Sequence, residues 1–216
     1  SIQIAEDVFS KILYFNRNIQ KHIKHMENKL WKFEPVRYEI AHATIGILGT
    51  GSIGLEVAKR MKAFDTKVLG YKKTRQNVPY FDEIYTDKKG LEKIYKESDY
   101  IIIALPLTTE TYHLIDENAI SLMKDSSVII NVARGDIIDQ KALINALKSK
   151  KIRAAGLDVM SPEPLPIDDG LWHLENVLLT PHNASSSPYV NQRLINNTIE
   201  TIQHYLSHQN FNNRVV

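Results

Sequence analysis

Three glycines early in the chain have the spacing of a turn that binds phosphate groups. Gly49, Gly51 and Gly54 form the pattern G-x-G-x-x-G. The first glycine permits a tight turn from a strand into a helix, the second leaves space for a pyrophosphate, and the third lets the helix pack closely on the strand. The first turn of the helix, with Ser52 and Ile53, then offers free N–H groups to the phosphates. The pattern predicts a dinucleotide site, and its alternative is a glycine-rich turn that binds no ligand.

Three ionisable side chains further along the chain could supply acid–base chemistry and a fixed positive charge. Arg134, Glu163 and His182 each come shortly after an apolar run that is typical of a buried strand. Ligands of parallel sheets bind beyond the carboxyl ends of the strands, so we expect these residues to meet at one rim. Each also has a structural interpretation: a surface ion pair for Arg134, solvent exposure for Glu163, and a helix cap for His182. Their shared position favours the functional interpretation.

The elements that must position these residues alternate regularly. Strands are predicted at residues 44–48, 67–71, 83–86, 100–105, 127–133, 154–159 and 176–180. Helices are predicted between them, two of which begin after the capping residues Asp116 and Asp139. Strands that alternate with helices predict an α/β fold with a doubly wound parallel sheet, the Rossmann fold. A last helix opens at Ser187 and Pro188, with these residues expected to face inward: Leu194, Ile195, Thr198, Ile202 and Leu206.

Apolar residues also recur at steps of three and four near the start of the chain, from Ile4 to Leu30. This period predicts one amphipathic helix over residues 2–30. His22 and His25 lie three positions apart on it, but no acidic or cysteine ligand accompanies them in a matching pattern. Two solvated histidines are therefore the better interpretation, and no metal site is predicted. Residues 1–186 form the predicted dinucleotide-binding domain, and residues 187–216 a C-terminal helix and tail.

The composition argues against several classes of protein. The chain has 27 basic and 25 acidic residues, a balance that indicates neither a nucleic-acid partner nor a polybasic membrane protein. It has no cysteine, which excludes disulfides and thiolate chemistry and suits a reducing cytoplasm. No apolar run has the length of a membrane span. We therefore expect a cytoplasmic protein, with no nucleic-acid or membrane partner, whose ligands are small molecules.

The complete set of motifs resembles that of the NAD(P)-dependent D-isomer-specific 2-hydroxyacid dehydrogenases. The resemblance covers nearly the whole chain and rests on the glycine turn and on residues 106–111, 131–135, 156–164 and 180–182. It implies an oxidoreductase that transfers a hydride between NAD(P)H and a small 2-oxo acid or D-2-hydroxy acid. Formate dehydrogenases of the same superfamily carry glutamine where this chain has Glu163, which argues against formate. Glyoxylate, hydroxypyruvate, pyruvate and branched 2-oxo acids all remain open.

The resemblance also implies a role for each site residue. Arg134 binds the carboxylate and carbonyl of the substrate, Glu163 hydrogen-bonds His182, and His182 is the general acid/base. Asp158 contacts the nicotinamide amide. Hydride transfer develops negative charge on the carbonyl oxygen, so a proton donor and a fixed cation are the residue types that the reaction needs. Further cofactor contacts are implied at Tyr71, Leu105, Pro106, Thr111, Val132, Ala133, Arg134, His182 and Ala184.

One departure from the family concerns the substrate lobe. In the family this lobe is built mainly from residues that precede the first helix, and it is largely missing here. Residues 2–30 resemble the interdomain helix, and the tail to Val216 resembles the segment that returns to the lobe. The resemblance thus implies the cofactor domain of a larger enzyme, and a homodimer formed through that domain. The rival interpretation is a dinucleotide-sensing regulator without metabolic turnover, because some corepressors of this superfamily keep the same three site residues.

A second departure bears on the choice of cofactor. Lys72 stands where an NAD-dependent relative would have an aspartate for the adenosine ribose, and Lys73 and Arg75 add positive charge nearby. Cations at this place can bind the 2′-phosphate of NADP. The alternative is that all three are solvated loop residues. The sequence therefore favours NADP(H) over NAD(H).

Overall fold

One parallel sheet organises the fold. The computed structural model describes residues 1–74 and 76–207, and within them seven strands pair in parallel. The strands are β1 (Thr44–Leu48), β2 (Lys67–Tyr71), β3 (Glu83–Tyr85), β4 (Tyr100–Ile103), β5 (Val128–Asn131), β6 (Ala154–Leu157) and β7 (Val177–Leu179). Their spatial order is β3-β2-β1-β4-β5-β6-β7. The predicted doubly wound parallel sheet is confirmed.

Two helices precede the first strand, and each of the others follows a strand in sequence. The helices are α1 (Ile2–Asn16), α2 (Ile19–Glu27), α3 (Ser52–Met61), α4 (Lys88–Glu97), α5 (Glu117–Leu122), α6 (Gln140–Lys148) and α7 (Val190–Leu206). Asp116 and Asp139 cap α5 and α6 as predicted, since each carboxylate accepts the N–H three residues further on, at 2.7 and 3.1 Å. Asp87 caps α4 in the same way. These caps satisfy N–H groups that no helical carbonyl can reach.

The two faces of the sheet bury separate apolar layers. All four residues of β4 are buried. A central strand that is covered on both faces therefore needs a continuous apolar run. Ile101 and Ile103 pack in the layer that also holds residues of α4, α5 and α6. Tyr100 and Ile102 point the other way and join the layer that holds residues of α1 and α3. The site therefore rests on a sheet that is covered on both sides.

The order of the strands places a crevice at one rim. From β1 the chain moves outward through β2 and β3, and it then returns to begin β4 on the other side of β1. The loops after β1 and β4 consequently leave the sheet in opposite directions, which opens a crevice beyond their carboxyl ends. β4 and β5 end two residues earlier than predicted, at Ile103 and Asn131. Residues 104–105 and 132–133 belong to the rim loops instead.

The prediction of one helix over residues 2–30 is wrong. α1 ends at Asn16, and Asn18 adopts a left-handed backbone with φ of 52° before α2 begins. Asparagine tolerates this conformation better than most residues, and here its Nδ2 donates to the carbonyl of Pro35 at 3.1 Å. The apolar period continues across the break, but only α1 is packed into the core. In α2 even Met26 is 73% exposed.

The C-terminal part of the chain forms a unit of its own. Contacts divide the chain into Ser1–Ala184 and Ser185–Val216, and α7 lies in the second unit. The expectation that its apolar residues face inward is wrong, because Leu194, Ile195, Ile202 and Leu206 are at least half exposed. Helical period shows which residues share a face, but it does not specify what covers that face. None of the helices in the described part of the chain is long and apolar enough to cross a membrane.

Candidate functional site

The glycine turn connects β1 to α3 and shows a separate steric reason for each glycine. Gly49 has φ of 103°, and a Cβ there would lie 2.6 Å from the carbonyl oxygen of Ala104. A Cβ on Gly54 would lie 2.0 Å from the carbonyl oxygen of Gly49, so only glycine allows α3 to pack so close to the turn. At Gly51 a Cβ would meet no atom within 4 Å. The open space at the middle glycine is the space in which a ligand can approach the backbone.

The start of α3 fits a dinucleotide pyrophosphate. α3 begins at Ser52, so the N–H groups of Ser52 and Ile53 lie in its first turn, where no intrahelical carbonyl reaches them. The positive end of the helix dipole also favours negative charge there. In the same loop the buried hydroxyl of Thr50 has no hydrogen-bond partner among residues 1–74 and 76–207. Gly51, Ser52 and Ile53 are the residues that would hold the diphosphate of a bound dinucleotide.

The loop after β2 supplies two cations at the same rim, the half-buried Lys72 and the exposed Lys73. The N–H of Gly49 donates to the carbonyl of Tyr71 at 2.9 Å, which joins the end of β2 to the glycine turn. Lys72 is anchored through its own N–H to Tyr85, and its Nζ donates to Gln76 at 2.9 Å. Lys73 lies 3.8 Å from a carboxylate oxygen of Glu110. Arg75, the third predicted cation, lies outside the described residues.

The loop after β4 places Glu110 opposite those cations. The hydroxyl of Thr111 donates to the carbonyl of Pro106 at 2.7 Å and accepts the N–H of Thr108 at 2.7 Å, which closes the loop on itself. Leu105 is buried beneath it. A hydrogen bond from the Thr108 hydroxyl, then one from the backbone N–H of Glu110 itself and then the charge of Lys73 lower the pKa of Glu110. The sequence analysis did not identify this acid, which faces Lys73 and opposes anion binding there.

Arg134 is presented by a turn that Asn131 organises. The side chain of Asn131 is fully buried, and it accepts the N–H of Ala133 at 3.0 Å while donating to the carbonyl of Arg134 at 2.9 Å. Val132 and Ala133 are buried, whereas Arg134 is exposed at the rim. Asn131 belongs to a motif that we recognised, but its positioning contacts were not predicted. Its short amide after a strand is the signal that could have indicated them, because such side chains bond the backbone two residues on.

The turn that presents Arg134 packs against the loop that carries Glu163. A Cβ on Gly135 would lie 2.0 Å from the carbonyl oxygen of Met160, so the two backbones touch where only glycine fits. The Oε1 atom of Glu163 accepts the N–H of Met160 at 3.0 Å. Arg134 and Glu163 are thus placed by two loops in direct contact.

His182 and Glu163 form a hydrogen-bonded pair. Nδ1 of His182 lies 2.7 Å from Oε2 of Glu163. The side chains are 47% and 34% exposed, respectively. Because Nδ1 is occupied, Nε2 is the ring nitrogen left for exchange of a proton with a ligand. The alternative that His182 caps the last helix is excluded, since α7 begins at Val190.

Asp158 holds the loop of His182 in place. It is 2% exposed, and its carboxylate accepts the Thr180 hydroxyl at 2.6 Å and the N–H groups of Asn183 and Ala184 at 3.0 and 2.9 Å. Its own carbonyl accepts the N–H of His182 at 2.8 Å. Both carboxylate oxygens are therefore bound within the chain. The contact to a nicotinamide amide stays a prediction. The observed contacts show that Asp158 stabilises the loop of residues 180–184.

An apolar cavity of about 600 Å³ lies beside the pair of His182 and Glu163. Its walls include Met160, Leu165 and Trp172. The pair thus lies at the edge of an apolar surface and is itself in contact with solvent.

The two histidines of α2 are neighbours on the helix. Their rings are 6.2 Å apart, and the described residues contain no group of three or more potential ligands that could hold a metal ion. The prediction that both are solvated is wrong for His25. Its side chain is only 18% exposed, and Nε2 lies 3.7 Å from Glu34. Glu34 belongs to the chain that follows α2, and this contact could not be predicted from the helical pattern.

The fold and the rim residues define a dinucleotide-binding domain of the Rossmann class. The family model described as "D-isomer specific 2-hydroxyacid dehydrogenase, NAD binding domain" matches residues 9–184, so the chain belongs to this family.

Similar proteins include both sequence relatives and solved structures. A glyoxylate reductase of Pyrococcus horikoshii is 40% identical over 191 residues, which covers 85% of this chain and 57% of that relative. An acyclic imino acid reductase solved with NADPH and D-Arg has a TM-score of 0.87 and 33% identity over 99% of this chain and 67% of that one. An NADPH-dependent glyoxylate/hydroxypyruvate reductase of Sinorhizobium meliloti, solved with NADP and sulfate, has a TM-score of 0.86 and 26% identity, with coverage of 99% and 67%.

Proposed function

We propose that this chain is the cofactor-binding part of an enzyme that transfers a hydride between NAD(P)H and a small 2-oxo acid. The observation that supports this most directly is the hydrogen bond of 2.7 Å between His182 and Glu163, at the rim that also holds Arg134 and the glycine turn. Relatives named glyoxylate reductase agree with this choice of reaction. The absence of cysteine fits a cytoplasmic enzyme.

In the proposed mechanism the protein supplies binding, orientation and a proton. The guanidinium of Arg134 holds the substrate carboxylate by two parallel hydrogen bonds, which orients the carbonyl. Nε2 of His182 gives its proton to the carbonyl oxygen as negative charge develops there, and Glu163 stabilises the imidazolium. A nicotinamide cofactor, when bound, would supply the hydride. In the direction of oxidation, neutral His182 takes the hydroxyl proton.

The direct test is an absorbance assay of the complete protein with NADPH or NADH against a panel of 2-oxo acids. Oxidation of the reduced cofactor by at least one acid of the panel is expected, and Arg134→Leu should raise KM for that acid. Tight dinucleotide binding without turnover of any acid would contradict the proposal and favour the dinucleotide-sensing regulator.

We further propose NADP(H) as the preferred cofactor. Lys72 and Lys73 lie after β2, where the adenosine ribose of a bound dinucleotide is expected, and similar structures were solved with NADPH or NADP. Glu110 lies close to Lys73 and reduces its attraction for a phosphate. Lys72, whose Nζ bonds only the neutral Gln76 among the described residues, is therefore the main candidate for the phosphate contact.

The proposed assembly is a homodimer through this domain. Between α2 and β1, residues 30–39 form neither helix nor strand, and Trp31 and Phe33 are 103% and 85% exposed. Large aromatic side chains of this kind are enriched at protein interfaces. Sedimentation of the complete protein should show a dimer that Trp31→Glu together with Phe33→Glu converts to a monomer. Ile167→Glu, at another exposed apolar residue, should leave the dimer intact. A dimer unaffected by the Trp31 and Phe33 variants would place the interface elsewhere.

A further inference from the structure

The loop that carries Glu163 has few backbone groups with which to fix its own shape. Pro162, Pro164 and Pro166 have no N–H, so half of the donors between residues 161 and 166 are absent. The observed anchors are therefore mostly side chains. The hydroxyl of Ser161 donates to Asp136. At the other end of the proline run, Nε1 of Trp172 donates to the carbonyl of Pro166 at 2.8 Å.

Gln140 is the anchor that joins the two sides of this loop. It is the first residue of α6, and its Oε1 accepts the N–H of Ser161 at 3.1 Å. Its Nε2 donates to Oδ2 of Asp169 at 2.9 Å. The orientation of the amide is determined by its partners, because a backbone N–H can only donate and a carboxylate accepts. Asp169 in turn accepts the N–H of Leu171 at 2.8 Å, which fixes the turn beyond the loop.

These hydrogen bonds hold the chain on both sides of Glu163, the residue that orients His182. Ser161 lies two residues before Glu163, and Asp169 lies six residues after it. With both flanks held by one side chain of α6, the loop keeps Oε1 of Glu163 on the N–H of Met160 and Oε2 on Nδ1 of His182, at 3.0 and 2.7 Å. Gln140 itself forms no hydrogen bond to either member of that pair among the described contacts.

We propose that Gln140 is a positioning residue for the Glu163–His182 pair, an inference that rests on the acid/base role proposed above. Its contribution is mechanical: it holds the loop so that the carboxylate meets the imidazole in one geometry. A displacement of such a pair by about an ångström is enough to cost up to roughly a hundredfold in rate. The hydrogen bonds of the described residues include none between this loop and the glycine turn of residues 49–54.

The test exchanges the donor and the acceptor in the complete enzyme. Gln140→Glu places a carboxylate against the carboxylate of Asp169. Asp169→Asn keeps its oxygen on the N–H of Leu171 and so turns its NH2 group toward Nε2 of Gln140, which means that each single variant breaks the bond. Each should lower kcat by about ten- to a hundredfold, with the Kd of the reduced cofactor changed by less than about twofold. The double variant restores a donor opposite an acceptor and should return kcat to within about threefold of the wild type. Lys141→Gln, at the exposed neighbour on α6, lowers the net charge by one, as Gln140→Glu does; it is the charge-matched control and should leave kcat unchanged.

A second measurement separates positioning from general damage to the fold. Gln140→Leu should lower kcat in the wild-type background but cause no further loss in a Glu163→Gln background, because the group that it positions has already been changed. Thermal unfolding checks that every variant is folded. A double variant as slow as its parents, or an equal loss in both backgrounds, would overturn the assignment of Gln140 while wild-type turnover still supports the proposed function. A wild-type enzyme without any turnover would overturn the proposed function itself, and the inference with it.

Discussion

Hydrogen bonds fix both the backbone and the side chain of His182. Its φ of 52° lies in the left-handed region, which side chains other than glycine rarely occupy. The surrounding bonds compensate for this strain, because the N–H of His182 donates to the carbonyls of Asp158 and Thr180 at 2.8 and 3.0 Å. Strained residues of this kind are concentrated at functional sites. The fixed loop and the bond to Glu163 together give the imidazole one orientation.

The first prediction concerns proton transfer by His182. His182→Ala should lower kcat by about two to four orders of magnitude, the usual size of an acid/base contribution, and leave cofactor affinity nearly unchanged. Reduction uses the protonated imidazole and should slow as pH rises, whereas oxidation uses the neutral imidazole and should become faster. Initial rates in both directions across pH provide the measurement, with His22→Ala as the control at an exposed histidine. Normal turnover by His182→Ala would remove this residue from the mechanism.

The second prediction concerns the choice of cofactor. A charge-assisted contact between Lys72 and a 2′-phosphate is worth about 1.5–3 kcal/mol, so NADPH should bind roughly ten- to a hundredfold more tightly than NADH. Added salt should weaken the preference, since the site is open to solvent. Lys72→Asp should erase or reverse it, whereas Lys148→Asp, at the last turn of α6, should not. Parallel titrations with NADPH and NADH decide the question, and tighter NADH binding at low salt would refute the assignment.

Among the structural elements, the contact between the two rim loops depends on a single glycine. Gly135→Ala places a methyl group 2.0 Å from the carbonyl oxygen of Met160, so the Arg134 turn and the Glu163 loop must separate. We expect kcat to fall by about ten- to a hundredfold. The matched control is Gly170→Ala, where the new methyl group would make only an ordinary contact 3.5 Å from Ile144. Equal kinetics for the two variants would show that the contact between the loops is not needed.

The packing of α1 rests on a buried ion pair. Lys11 is fully buried, its stem packs over Gly156 in β6, and its ammonium pairs with Asp7 one turn earlier. Asp7→Ala leaves this charge without a partner and should lower the free energy of unfolding by about 3–5 kcal/mol. Lys11→Met removes the charge, keeps the volume and should be neutral or stabilising. Chemical denaturation of both variants tests this. An equal loss of unfolding free energy in the two variants would indicate that packing around Lys11, rather than its charge, determines the stability of α1.

For the whole molecule, exposure of the site limits what this chain can do alone. The side chain of His182 is 47% exposed, and the chain spans 57% of the length of its P. horikoshii relative. We expect the 216-residue chain to bind the dinucleotide but to turn over 2-oxo acids far more slowly than the complete protein, since water is not excluded from the site. Cofactor titration and rate measurements on both forms check this. Equal rates would show that these residues contain the full substrate site.

Much of the candidate site could be predicted from the sequence, because its signals are local. The glycine spacing and the residues just after each apolar strand required no knowledge of distant contacts, and the structure brings Glu163 and His182 together. The positioning contacts of the supporting residues were not predicted, although Asn131 and Gly135 belong to a recognised motif. Asn131, Gln140 and Gly135 act through partners that are close in sequence or across a loop, and polar or small residues of these types occur in most turns. Their partners become visible only when the loops are placed side by side.

The sequence by itself determined the strands, the helices between them and the parallel arrangement of the sheet. Apolar runs, capping aspartates and the glycine turn act over a few residues, and strand–helix alternation then leaves few topologies. The tertiary structure alone decided which faces are covered: it buried Lys11 in α1, ended that helix before Asn18, and left the apolar faces of α2 and α7 exposed. The physical reason is that burial depends on which distant segments meet. A period of 3.6 residues shows that a face is apolar but carries no information about its partner.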